Sequence, residues 1–203
     1  MKQKIVVLML LFIPFFDVQS AVKVLAFSGS TRTGSYNQSL IENAAEIART
    51  SNAEVTVINL KDYEMPFYQA ELESSQGMPR NALRFRQLML DHNRIIIATP
   101  EYNGSLTAIL KNALDWASRT EQAEFSNEAF KDKKFALMSA SPGKGGGKRS
   151  VDHLAQVLAS LGGKVVEDKV VVPQAYQAFD CNQNLKNDST KKQLIQEIAE
   201  LLR

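Results

Sequence analysis

The polar loop of residues 27–37 is the stretch of this sequence best suited to hold a ligand. Its sequence is Phe-Ser-Gly-Ser-Thr-Arg-Thr-Gly-Ser-Tyr-Asn, and it joins an apolar β-branched run to an amphipathic helix. Backbone N–H groups at a helix N-terminus attract anions, and small residues allow close approach of the backbone. Arg32 can add a bidentate contact to phosphate oxygens. The loop therefore predicts a phosphate site, with a polar turn that binds nothing as the alternative.

Two further polar loops follow apolar runs. In residues 99–105, Pro100 and the pair Asn103-Gly104 favour a tight turn with exposed backbone N–H groups. Such a turn can donate hydrogen bonds to the edge of a flat heterocycle, although it is also compatible with an ordinary turn. Residues 139–147 contain three consecutive glycines and two serine hydroxyls, which leave room for close backbone approach. A flexible surface loop is the alternative there.

Other phosphate-binding and catalytic motifs fail in the third loop. A Walker A loop, Gly-x-x-x-x-Gly-Lys-Ser/Thr, would need glycine at Pro142 and a hydroxyl at Arg149. The dinucleotide motif Gly-x-Gly-x-x-Gly, started at Gly143, would need glycine at Lys148. The sequence also lacks a Gly-x-Ser-x-Gly nucleophile elbow, so nothing supports a hydrolase.

Strand and helix patterns alternate around these loops. Short apolar runs predict five strands: Val22–Phe27, Glu54–Leu60, Arg94–Thr99, Lys134–Ser139 and one within Lys164–Val172. Helical spacing of apolar residues predicts a first helix capped by Ser35 and Gln38, then Asn81–His92, Leu106–Ala117, Val151–Leu161 and Thr190–Leu202. This alternation predicts an α/β fold with a doubly wound, five-stranded parallel sheet of order 2-1-3-4-5.

In such a sheet the ligand lies beyond the carboxyl ends of the strands, near the switch point between strands 1 and 3. The three polar loops follow strands 1, 3 and 4, so they should meet at one pocket. A fourth segment, Lys61–Met78, is long for a connection and holds three aromatic residues. These aromatic side chains would either cover a planar ligand or pack beneath the loop.

The composition indicates one domain and excludes several classes of function. The chain has 203 residues, 44% of them hydrophobic, and a net charge of +2, without a basic patch for nucleic acid or an acidic tail. The single cysteine, Cys181, permits neither an internal disulfide nor a Cys-based metal site. His92 and His153 lie in predicted helices without ligand spacing, so we expect solvated or helix-capping histidines and no metal.

Residues 1–20 have the pattern of a signal peptide. A basic start precedes a twelve-residue apolar run, residues 5–16, and Val18 and Ser20 suit cleavage before Ala21. The run is too short for a stable membrane span, which needs about 20 residues. Cleavage would leave residues 21–203 as the domain, in a periplasmic or secreted protein. An N-terminal extension packed on the domain is the alternative.

The chain resembles the NADPH-dependent FMN reductases of flavodoxin-like fold, a family that includes quinone, chromate and azo-dye reductases. The resemblance covers residues 22–172. It lies in three motifs: Gly29-Ser30-x-Arg32-x-x-Ser35-x-Asn37, then Pro100-Glu101-Tyr102-Asn103-Gly104-Ser105 with Leu110-Lys111-Asn112-Ala113-Leu114-Asp115-Trp116 and Ser118-Arg119, then Ser141-Pro142-Gly143-x-x-Gly146-Gly147-x-Arg149. The second motif is the longest and the most specific.

The resemblance implies a cofactor and its ligands. It assigns the FMN phosphate to Ser28, Ser30, Arg32, Ser35 and Asn37. It assigns the isoalloxazine ring to Pro100, Glu101, Tyr102 and Asn103 on one side and to Ser141, Pro142 and Gly143 on the other. No side chain is required as a general acid or base, because the flavin carries the redox chemistry.

The resemblance also implies an activity. It predicts transfer of hydride from NADPH or NADH through FMN to a quinone, a flavin or another small acceptor. Lys144, Lys148 and Arg149 are candidates for the 2′-phosphate of NADPH or are solvated loop charges.

Homodimers or tetramers are expected, with Trp116 and Arg119 as interface candidates unless Trp116 belongs to the core. The family is typically cytoplasmic, which conflicts with the N-terminal pattern. A non-enzymatic flavodoxin-type electron carrier or a flavin-binding module is the alternative function.

Overall fold

A fully parallel sheet forms the centre of the fold. The computed structural model describes residues 21–203, so the predicted signal peptide lies outside the described residues. The strands are β1 (Lys23–Ser28), β2 (Glu54–Asn59), β3 (Arg94–Ala98), β4 (Lys134–Ala140), β5 (Lys164–Val165) and β6 (Val171–Val172). Their order is β2-β1-β3-β4-β5, with β6 also paired to β4. The predicted order 2-1-3-4-5 is confirmed.

Helices cover both faces of the sheet. They are α1 (Tyr36–Thr50), α2 (Ala70–Gln76), α3 (Arg80–Asp91), α4 (Ala108–Ala117), α5 (Lys148–Ser160), α6 (Ala175–Ala178) and α7 (Asp188–Leu202). Alternate residues of β1 face opposite cores: Val24 and Ala26 pack with α1 and α7, whereas Leu25 and Phe27 pack with α3, α4 and α5. Only α2 and α6, both short, were not predicted from helical periodicity.

The fifth strand is interrupted, which the sequence did not predict. β5 and β6 both pair with β4 but are separated by residues 166–170. Glu197 of α7 faces this interruption, with a fully buried side chain whose Oε2 accepts the backbone N–H of Val170 at 3.0 Å. Burial raises the pKa of this carboxyl to about 8. A side chain therefore takes the place of strand pairing at this point of the edge.

The long segment after β2 packs against α4. Trp116 is fully buried and its indole N–H donates to the carbonyl of Pro66 at 2.8 Å. Its ring meets the ring of Tyr68 edge to face, with centroids 5.1 Å apart. Glu73 of α2 is also buried and accepts hydrogen bonds from Arg119 at 2.9 Å and 3.1 Å. The expectation that Trp116 lies at an interface gives way to its alternative, a core residue, and the aromatic residues nearest to it pack beneath the segment.

None of the helices in residues 21–203 is long and apolar enough to cross a membrane. Within the same residues there is also no group of three or more His, Cys, Asp or Glu side chains that could hold a metal ion.

Candidate functional site

The loops after β1, β3 and β4 meet around one cavity. It has a volume of about 420 Å³ and lies at the carboxyl edge of the sheet. Most of the predicted site residues line it, together with two that were not predicted. The lining residues are Ser30, Arg32, Ser35, Tyr36, Asn37, Pro100, Glu101, Tyr102, Ala140, Ser141 and Pro142. The predicted residues Ser28, Asn103 and Gly143 belong to the same loops but do not line the cavity.

A larger groove of about 1050 Å³ begins at the outer side of the first loop and runs along α1. Both acidic and basic side chains line it, and of the three polar loops only the first borders it. The smaller cavity is therefore the better candidate, because the turn and hydroxyl groups of all three loops converge there.

The first loop is held in shape by its own hydroxyls. The backbone N–H of Ser30 donates to Ser28 Oγ at 3.1 Å, and that of Arg32 donates to Ser30 Oγ at 3.4 Å. Ser35 is the N-cap of α1, because its Oγ accepts the N–H of Gln38 at 3.4 Å. The reciprocal half of the predicted capping box is absent, because Gln38 Oε1 accepts no hydrogen bond within the described residues, while Nε2 donates to Glu42. The N–H groups of Tyr36 and Asn37, at the start of α1, have no acceptor within residues 21–203 and are available to an anion.

Arg32 is placed by aromatic rings. Its guanidinium carbon lies 5.6 Å from the centroid of the Tyr36 ring, which stacks on Phe179 at 5.9 Å with an interplanar angle of 7°. Within residues 21–203, Arg32 forms no ion pair, so its guanidinium charge is not neutralised by a carboxylate. The cation–π contact costs none of its N–H donors. Tyr36 was missed from the sequence because nothing in its spacing distinguishes it from a core aromatic residue.

Asn37 joins the first loop to β4. The side chain is buried, its Nδ2 donates to the carbonyl of Ala140 at 2.8 Å, and its Oδ1 accepts the Ala140 N–H at 2.9 Å. Gly29 joins the same loop to α4, since a Cβ there would lie 3.0 Å from Leu110. Thr107 Oγ1 also donates to the Gly29 carbonyl at 2.7 Å. These contacts hold the strand ends together at fixed distances.

The second loop contains the predicted tight turn. Tyr102 and Ser105 exchange backbone hydrogen bonds of 3.0 Å and 3.1 Å, and the residues between them, Asn103 and Gly104, have φ values of 52° and 84°. Two positive φ values identify a mirror-image turn, for which Asn-Gly is a favoured pair. The side chain of Tyr102 at the cavity mouth is 56% exposed.

Glu101 connects the second loop to the third. Its Oε1 accepts Nε of Arg149 at 2.8 Å and also bonds to Nη2, while Oε2 accepts the Arg149 backbone N–H at 3.2 Å. The N-cap of α5 is Gly147, which has no side chain, so Glu101 supplies the acceptor for this helix terminus. Hydrogen bonding from Arg149 holds the pKa of Glu101 below its ordinary value.

Two glycines of the third loop, Gly146 and Gly147, are closely packed. A Cβ on Gly147, where φ is +90°, would lie 2.0 Å from Ser139 Oγ. Ser141 Oγ accepts the Gly143 N–H at 3.2 Å. Of the three cations proposed from sequence for a 2′-phosphate, Arg149 is paired with Glu101 and Lys148 with Asp152 at 2.6 Å, whereas Lys144 forms no ion pair within the described residues.

Comparisons with known proteins identify the family and the fold of this chain. Residues 22–177 match the family model described as NADPH-dependent FMN reductase. An NAD(P)H-dependent FMN reductase of Pseudomonas aeruginosa is 34% identical over 182 residues, or 89% of this chain and 93% of that protein. An NAD(P)H:quinone oxidoreductase of Solanum tuberosum is 34% identical over 87% of this chain and 89% of its own. Among solved structures, the flavoenzyme NAD(P)H:(acceptor) oxidoreductase FerB of Paracoccus denitrificans has the same fold, with a TM-score of 0.75, 23% identity and coverage of 90% and 96%.

Proposed function

This chain belongs to the NADPH-dependent FMN reductase family, and from that premise we propose which residues hold the cofactor. The protein is an FMN-dependent NAD(P)H oxidoreductase. The observation that carries the assignment of the site is the convergence of an anion-binding loop and a tight turn on one cavity of about 420 Å³.

The FMN phosphate lies on the first loop. Arg32, the hydroxyls of Ser30 and Ser35, and the free N–H groups of α1 form a set of donors suited to a phosphate monoester. Ser28 and Asn37 support this end indirectly, because their polar groups bond to the backbone of Ser30 and Ala140.

The isoalloxazine ring lies between the second and third loops. Pro100, Tyr102 and Ser141 line the walls of this part of the cavity. When bound, the flavin accepts hydride from NAD(P)H and passes the electrons to an acceptor. The chain contributes orientation, and backbone N–H donors that stabilise negative charge on the reduced ring. Among the positions assigned from the resemblance, Glu101 acts through its carboxylate on Arg149, whereas Asn103 and Gly143 act through the backbone of these loops.

We further propose a quinone-like acceptor and an oligomer. Tyr102 leaves a broad aromatic surface at the cavity mouth, which suits a flat acceptor that replaces the nicotinamide.

Phe67 and Ile109 are 70% and 37% exposed and line an apolar cavity of about 250 Å³ beside α4. This surface is the proposed interface in a dimer or tetramer. A Phe67→Ser variant should lower the mass measured by light scattering, and an unchanged mass would contradict this interface.

Absorbance spectroscopy and stopped-flow kinetics test the function. The purified protein should carry a flavin that is released on denaturation and identified as FMN. Anaerobic mixing with NADPH should bleach the flavin absorbance rapidly, and addition of a benzoquinone should restore it. Bound flavin that NADPH does not bleach would instead support an electron carrier or a flavin-binding module.

A further inference from the structure

One face of α5 contacts the whole length of the second loop. Ser150 Oγ lies 3.3 Å from the carbonyl oxygen of Thr99, Arg149 binds Glu101, and Nδ1 of His153 lies 2.8 Å from Ser105 Oγ. Arg149 and His153 are four residues apart, so they lie one above the other on the same side of the helix. We call residues 99–105 the ring turn.

Arg149 supports the first half of the ring turn and its tip. The guanidinium and the backbone N–H of Arg149 both bond to the carboxylate of Glu101. Guanidinium atoms also lie within 3.9 Å of the position that a Cβ on Gly104 would take. A single side chain therefore contacts the turn before and after Tyr102.

His153 supports the second half. Its hydrogen bond with Ser105 fixes the residue that closes the turn, because Ser105 exchanges both backbone hydrogen bonds with Tyr102. Those two backbone hydrogen bonds hold the turn internally. The Thr99 N–H donates to the Met138 carbonyl at the start of the turn, and beyond that point α5 supplies the side-chain hydrogen bonds that place it.

We propose that Arg149 and His153 are positioning residues for flavin reactivity, an inference that rests on the proposed FMN site. They fix Tyr102 and the N–H groups of the ring turn against the isoalloxazine, while neither side chain lines the cavity. Loss of either side chain should alter the position of the ring turn and leave the residues that bind the phosphate in place.

A comparison of FMN with riboflavin distinguishes effects at the two ends of the cavity, because riboflavin has the same ring and no phosphate. His153→Leu and Arg149→Met should each weaken binding of both flavins by about 2- to 10-fold, as expected for loss of one or two net hydrogen bonds. The ratio of the two affinities should stay at the wild-type value. The midpoint potential of bound FMN and kcat should shift in the same variants, with little change in KM for NADPH.

Conservative variants and a surface control complete the design. His153→Asn places an amide near the position of Nδ1 and should keep the midpoint potential of the wild type. Ser105→Ala should shift the potential as His153→Leu does. The double variant of Ser105→Ala and His153→Leu should show no further shift. Asp152→Asn breaks the exposed ion pair with Lys148 on the same turn of α5 and should leave the potential unchanged.

The outcomes separate this inference from the function on which it rests. A wild-type protein that binds neither flavin overturns both. If wild type binds FMN and the variants keep its potential, kcat and affinities, only the positioning role is overturned. The same holds if the FMN-to-riboflavin ratio changes or if His153→Asn behaves like His153→Leu.

Discussion

The two ends of the cavity are built in different ways. At the phosphate end, serine hydroxyls bond to backbone N–H groups two or three residues further along the chain. At the ring end, the side-chain contacts that place residues 99–105 come from α5, which lies 48 to 51 residues later in the sequence. The serine bonds of the phosphate end are local, whereas the side-chain bonds that place the ring turn form only after α5 has packed beside it.

This difference has a thermodynamic and a functional consequence. Short-range contacts close small loops and therefore lose little chain entropy, so the phosphate loop can take its shape from its own sequence. The ring turn needs β4, the third loop and α5 in place first. Changes at the phosphate end should alter affinity for the phosphate, whereas changes at the ring end should alter the chemistry of the ring.

The largest expected effect lies outside the cavity, at Glu197 of α7. Its pKa is raised from 4.5 to about 8 in the fold, so the native state keeps a proton that the unfolded chain releases above about pH 4.5. The free energy of unfolding should fall as pH rises from 4.5 to 8. Glu197→Gln should remove this dependence and should be more stable than wild type above pH 8, by at most about 5 kcal/mol.

Urea unfolding at several pH values measures this difference, with the exposed Glu46→Gln as the control. An equal pH slope in wild type and Glu197→Gln would contradict the role of burial.

Two glycines sharpen the contrast between local and tertiary requirements. Gly34 and Gly147 both have positive φ, but a Cβ on Gly34 would meet nothing within 4 Å, whereas one on Gly147 would meet Ser139 at 2.0 Å. Gly34→Ala should cost about 1–2 kcal/mol of stability from backbone strain alone. Gly147→Ala adds overpacking and should cost roughly 2–5 kcal/mol. Gly145→Ala, with open space and no positive φ, is the control in denaturant unfolding, and equal losses at Gly34 and Gly147 would refute the contrast.

Arg32 tests the phosphate end by itself. Arg32→Ala removes a charge-assisted contact worth roughly 1.5–3 kcal/mol, so FMN should bind roughly 10–150-fold more weakly. Riboflavin affinity should not change, because the lost contact is to the phosphate. Fluorescence titration of both flavins measures the ratio, and Arg32→Lys should recover part of it. An unchanged FMN affinity in Arg32→Ala would contradict the proposed contact between Arg32 and the phosphate.

The smallest expected effect is the loss of stability at low pH from the pairing of Glu101 with Arg149. Because its pKa is held below 4.5, its pairing with Arg149 contributes stability above pH 4.5 and loses it as pH falls through the lower native value. Arg149 is 76% exposed, so solvent screening keeps the contribution of this pair small. The difference in Tm between wild type and Glu101→Gln should therefore be largest above pH 4.5 and shrink below it; a difference that grows with acid would contradict the pairing.

The sequence alone determined the sheet order, the edge at which the polar loops meet and most of the residues that line the cavity. The sheet order and the edge follow from short-range rules: strand and helix periodicity, a helix N-cap at Ser35 and a turn-forming Asn103-Gly104 pair. The individual lining residues were assigned from the resemblance to the FMN reductases. The sequence placed Ser28, Asn103 and Gly143 in the correct loops but could not show that their positions fall outside the lining, which depends on the exact path of each loop.

Only the tertiary structure decided what each polar side chain does. Asn37 bonds to Ala140, Glu101 caps α5, Glu197 interrupts the fifth strand, and Trp116 holds the segment after β2. Each partner lies between 27 and 103 residues away, and side chains at such separations leave no periodic pattern in the sequence. The serine bonds inside the phosphate loop and the Asn103-Gly104 turn could be predicted because they are local. The bond of Asn37 to Ala140 and the contacts of the ring turn with α5 could not, because their partners come from another part of the chain.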